Sequence, residues 1–183
     1  MNRLETIFIL FTAWLAVAFE ISFPGFRQLL GFQISLLPPL MVYVALSNSL
    51  PGIVLLSLIG GVASDAFSAN PIGISTLALA GTGMLLHHNR DLVLRDQAYA
   101  QVAMGLLATA LVPALVVLAL MNTQHPVLLT WRLFGQWLGA ALAGGVCTPF
   151  VFRLFALLNR WFSYQALPES HFRDTRQIKR TRM

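Results

Sequence analysis

Residues 98–121 read AYAQVAMGLLATALVPALVVLALM, a stretch without a single Asp, Glu, Lys or Arg. A helix that crosses the hydrocarbon of a bilayer needs about 20 mostly apolar residues. Pro113 removes one backbone donor inside this stretch, so a kinked spanning helix is expected. The neighbouring sequence has the same character: positions 28–64, 66–89, 97–131 and 133–152 hold no charged residue. Of all 183 residues, 57% are hydrophobic and 10% charged, whereas a soluble domain carries roughly 25% charged residues. So little charge does not cover the surface of a soluble protein of this size. The chain therefore reads as an all-α integral membrane protein of spans and short loops, with no stretch long or polar enough for a separate soluble domain.

On the N-terminal side, the run from Leu29 to Ser64 is too long for one helix and is cut by Pro38-Pro39 and Pro51. Proline breaks the hydrogen-bond ladder of a helix, which divides the run into short spans over 34–47 and 50–66, with Asn48 and Ser49 in the turn. A further span covers 72–86 and ends at the polar cluster His87-His88-Asn89-Arg90-Asp91. The first span covers 5–23. Arg3 ahead of an apolar run imitates a signal peptide, but no small-x-small cleavage site follows, so this span is expected to be retained. On the C-terminal side a sixth span covers 127–158. It is longer than a bilayer requires, and Pro149 is expected to bend it or its end to leave the membrane. The expected organisation is a six-span helical bundle over 1–167 followed by a basic tail over 168–183. The tail is polar and poor in apolar residues, which predicts disorder.

The charges that remain decide orientation. Twelve basic residues stand against seven acidic ones, a net charge of +5. Arg173, Arg176, Lys179, Arg180 and Arg182 crowd the last eleven residues. Beside a span, such a tail contacts anionic lipid headgroups at about 1 kcal/mol per charge, and nucleic acid is not expected as a partner. With both termini cytoplasmic, inner segments carry Arg3, Arg90, Arg95, Arg160 and the tail, while outer loops carry only Arg27 and Arg132. That asymmetry satisfies the positive-inside rule. Trp131 and Trp161 suit interfacial anchoring, and Trp14 and Trp137 suit packing or lipid contact. The one cysteine, Cys147, has no disulfide partner in the chain and reads as a packing residue.

Four features carry the candidate sites. The turn from Ser64 to Ser75 places Asp65 among apolar residues at the outer end of the third span, followed by Asn70, Pro71 and Gly73. A carboxylate at a membrane boundary must be solvated or paired. Asp65, Ser68 and Asn70 either bond to free backbone groups at a helix end or form a loop that docks a partner or another helix. Glu20, one turn from the end of the first span, either snorkels to the interface or faces the bundle and pairs with Arg27 or Arg132. Gly135 and Gly139 form a GxxxG stripe that permits close helix contact, internal or with another protein, and Gln136 beside it is placed to bond across helices. His87 and His88, being adjacent on a helix, diverge, so no metal site is expected. No Gly-x-Ser-x-Gly, phosphate loop, dinucleotide fingerprint or zinc-protease motif is present, and no cofactor is expected.

The stretch Gly60–Gly73 resembles the family of the rod shape-determining protein MreD. The matching features are Pro38-Pro39 opening a short span, Gly60-Gly61 in the next span, then Asp65, Ser68-Ala69-Asn70, and Pro71-Ile72-Gly73 opening a further helix. In overall layout the resemblance covers roughly Leu4 to Leu158; the basic tail is not part of it. What it implies is a non-enzymatic scaffold of the cell-wall elongation machinery in the bacterial inner membrane. Its partners would be an MreC-like single-span membrane protein and, in the same assembly, the actin-like MreB filament and the peptidoglycan polymerase and transpeptidase. The fold implied is similar to that of the substrate-binding S component of energy-coupling-factor vitamin transporters, which supplies a second expectation: a small molecule enclosed by the outer ends of the spans.

Overall fold

The computed structural model describes residues 3–22, 31–47, 50–68, 71–90, 97–122 and 131–163. Asn70, Arg27, the Asn48-Ser49 turn and the expected tail lie outside them, as do the side chains of Arg132 and Trp161. The described residues form six α-helices and no strand: α1 (Arg3–Ser22), α2 (Leu37–Ser47), α3 (Leu50–Ala66), α4 (Ile74–His88), α5 (Ala98–Asn122) and α6 (Trp131–Ser163). Two of them, α5 and α6 over Leu133–Leu158, are long and apolar enough to cross a membrane.

The helix boundaries follow local chemistry. Pro38-Pro39 and Pro51 sit in the first turns of α2 and α3, where a missing N–H has no intrahelical partner to lose. The sequence places the start of the second span at 34; the helix begins at Leu37, with Leu40 N–H bonded to the Leu36 carbonyl at 3.1 Å. It places the next boundary at 72, but Pro71, Ile72 and Gly73 form a turn, and α4 starts at Ile74. Gly73 has φ of +105°, a conformation that side-chain-bearing residues avoid. At its other end α4 closes on Asn89, whose backbone N–H and side-chain amide both donate to the Leu85 carbonyl, at 3.3 and 3.0 Å. The long helices run unbroken through Pro113 and Pro149.

The shortest helix is the centre of the molecule. Residues Leu37 to Leu46 of α2 are all buried, and α2 packs against each of the other five helices. A helix apolar on every face belongs in such a position. Around it α1, α3, α4, α5 and α6 follow one another as packed neighbours, with no substantial interface from α6 back to α1 among the described residues. Tyr43 of α2 stacks on Phe155 of α6 at 4.3 Å between ring centroids and meets Phe152 edge-on at 5.2 Å. His87 at the end of α4 lies with Nδ1 3.0 Å from the Ala45 carbonyl, near the end of α2. Each of the five outer helices exposes large apolar side chains, among them Phe11, Leu58, Leu77, Leu118 and Phe150.

Glycines set the closest approaches. Gly60 and Gly61 point about 100° apart on α3 and serve two neighbours. A methyl at Gly60 would press on Leu37 of α2, and one at Gly61 would collide with the Thr76 backbone of α4. The α5–α6 seam is reciprocal: Gly105 lies against Thr148 and Gly144 against Thr109. Both threonine hydroxyls turn back to their own helix. Thr109 Oγ1 donates to Gly105 O at 2.7 Å and Thr148 Oγ1 to Gly144 O at 2.8 Å, so each hydroxyl is satisfied while its Oγ1 and Cβ pack against the partner's glycine.

Candidate functional site

One end of the bundle collects the last turns of α1, α3 and α5 and the first turns of α2, α4 and α6. Asp65, Pro71, Gly73, Glu20, Gly135 and Gly139 lie there, while His87 and His88 lie at the other end of α4. Two constructions occupy it.

The first is centred on Asp65. Its side chain is 1% exposed. Oδ2 accepts the Gly73 N–H at 2.7 Å, and the Ser75 N–H lies 3.2 Å from both carboxylate oxygens. A residue at the end of α3 thus satisfies the free donors that open α4, and its charge faces the positive end of that helix dipole. The Asp65 carbonyl in turn accepts the Ser68 backbone and hydroxyl groups at 3.1 and 3.2 Å. Of the two readings of this turn, the geometry contains the backbone-bonding one, with Gly73 and Ser75 as the partners. Pro71 and Ile72 are exposed beside it, and Thr76 Oγ1 is buried without a partner.

The second is a cavity of about 370 Å³. It lies between the end of α1, the 31–36 segment, the last turns of α3 and the facing halves of α5 and α6. Glu20 forms part of its wall. The partners found for Glu20 are Gln33, whose Nε2 donates to Oε1 at 2.7 Å, and Ser35, whose hydroxyl lies 3.4 Å from Oε2. These bonds tie α1 to the segment that leads into α2. The expectation of pairing with Arg27 or Arg132 falls outside the described side chains. Gln136 lines the same cavity and makes no hydrogen bond with a described residue. Trp137 joins α6 to α5 by donating its indole N–H to Ala110 O at 2.9 Å, next to the Thr109 carbonyl that Pro113 leaves without a helical donor.

The GxxxG stripe divides. Gly139 is filled from across the bundle by the Phe32 ring, which a Cβ would meet at 2.5 Å, while nothing lies within 4 Å of a Cβ built on Gly135. His87 engages Ala45 and lies 3.4 Å from Arg90, and His88 is exposed. No group of three metal-ligating side chains gathers among the described residues.

Sequence reasoning singled out Asp65 and Glu20 but missed Gln33, Ser35 and Phe32. These lie in an irregular segment with no periodicity to mark a face. It also missed the Gly105–Thr109 and Gly144–Thr148 pairs, although glycine and threonine four residues apart on successive apolar helices is a visible small-xxx-small signal.

No protein-family model, no curated protein and no solved structure matches this chain.

Proposed function

We propose that the chain is a six-span protein of the bacterial inner membrane, both termini cytoplasmic, acting as a non-enzymatic scaffold of cell-wall elongation. In this reading it binds an MreC-like single-span partner laterally and so links the MreB filament to the peptidoglycan polymerase and transpeptidase. The span count is supported by the large apolar side chains exposed on all five outer helices, more apolar surface than a soluble monomer tolerates. The observation that carries the role is the Asp65 junction. The described residues behind the resemblance to MreD interlock with the start of α4, with Gly61 and Thr76 in contact, Asp65 bonded to Gly73 and Ser75, and Pro71 and Ile72 exposed beside them. The unpartnered surface over Gly135 is open to a lateral helix.

The test is co-expression with an MreC-like candidate and purification in mild detergent. The pair is expected to co-purify, and deletion is expected to alter cell width. Failure of both sinks this reading.

A second reading is favoured by the cavity at Glu20: a ligand-binding membrane subunit akin to a vitamin-transporter S component. A volume of about 370 Å³ falls within the range of small-molecule sites. Thermal-shift screening against water-soluble vitamins tests it, since saturating ligand raises Tm by mass action.

A further inference from the structure

The cavity has a chemistry that narrows its occupant. Its wall is mainly apolar, with Val112, Val116 and Leu133 beside the aromatic rings of Phe134 and Trp137. Among the described lining residues Glu20 is the only acidic one, and none is Lys, Arg or His. Gln33 and Ser35 each approach a different oxygen of its carboxylate. A carboxylate has about four acceptor positions, of which the donors among the described residues fill two. No Lys or Arg bond to Glu20 occurs among the described residues. A carboxylate in apolar surroundings needs a compensating positive charge or full hydrogen bonding. Aromatic faces near such a carboxylate favour the same sign of charge. A divalent metal takes six or more oxygen ligands, which one carboxylate with a few amides and hydroxyls supplies poorly.

We propose that this cavity binds a small organic cation with an apolar body, its protonated amine held on the Glu20 carboxylate. The proposal rests on the second reading above and specifies its ligand. The ammonium group donates to Glu20, with the Gln136 side-chain carbonyl as a further acceptor, and the apolar body lies along Val112, Val116 and Trp137. An anionic ligand meets Glu20 with the wrong sign.

The experiment uses the full chain in an uncharged maltoside detergent and three probes with one ring and different charge: 2-phenylethylammonium, 2-phenylethanol and 3-phenylpropionate. Affinities are read by isothermal titration and by saturation-transfer NMR. The ammonium probe is expected to bind at least tenfold more tightly than the alcohol, about 1.4 kcal/mol, and the carboxylate not to bind. Glu20→Gln keeps the side chain's size and is expected to abolish the preference. Equal binding of alcohol and ammonium overturns the cation assignment and leaves a small-molecule cavity standing. Absence of binding by all three overturns both. A preference that survives Glu20→Gln places the cation elsewhere and also overturns the proposal. If the variant does not fold, the ranking of the three probes on the unmodified chain decides.

Discussion

Thr148 of α6 sits where the side chain of any residue but glycine would stand at position 105 of α5. The same relation repeats one turn away with the helices exchanged, Thr109 filling the space above Gly144. Two antiparallel helices therefore interlock by a glycine and a threonine from each. Both hydroxyls are satisfied within their own helix, so the seam brings no unpaired polar group into an apolar contact.

Gly105→Ala forces a methyl into Thr148 and is expected to destabilise by about 1–3 kcal/mol, the usual cost of overpacking. Adding Thr148→Gly vacates that space and is expected to recover part of the loss. Thermal unfolding of the single and double variants in detergent checks this. A double variant whose loss equals or exceeds the sum of the two singles shows that the contact is misplaced.

Asp65→Ala leaves the Gly73 and Ser75 N–H groups without their acceptor. A lost helix cap costs about 1–2 kcal/mol, which corresponds to roughly 2–8 °C in Tm for a chain of this size. Asp65→Asn keeps one acceptor oxygen and is expected to lose less. In co-purification, Asp65→Ala is expected to weaken partner binding more than Glu20→Ala does. Equal or reversed effects would place the partner contact away from the α3–α4 turn.

Gly135 and Gly139 separate folding from association. Gly139→Leu collides with Phe32 and is expected to lower Tm. Gly135→Leu enters open space and is expected to leave Tm unchanged while reducing co-purification with a lateral helix. Unchanged co-purification would remove Gly135 from the contact surface.

Phe155→Ala empties the site beneath Tyr43. Truncating a buried phenylalanine costs about 3–5 kcal/mol, and Phe155 is 3% exposed against a stacked ring. A thermal scan that shows less than about 1 kcal/mol of loss would argue that α2 and α6 are loosely joined.

Much of this architecture can be read in the chain itself. The prolines at 38, 39 and 51 mark where α2 and α3 begin, and the charge-free run from 97 marks α5. Asp65 stands out because a lone carboxylate in apolar sequence must find donors, although only the fold reveals that they belong to Gly73 and Ser75. The cavity was less legible. Glu20 is visible as an isolated acid, but Gln33 and Ser35 reach it from an irregular segment 13 and 15 residues away, a distance over which no periodicity operates. The division of Gly135 from Gly139 was hidden for the same reason, because Phe32 comes from that segment.

The position of α2 bears on how such a chain is made. Eleven helical residues rise about 16 Å, roughly half the hydrocarbon thickness. Lipid alone would stabilise so short a segment poorly. Under the six-span reading proposed above, α2 is expected to stay beside α3 as a hairpin until later segments wall it in. The last helix supplies Phe152 and Phe155 to that wall, so a chain interrupted before α6 presents an unfinished core to quality-control proteases.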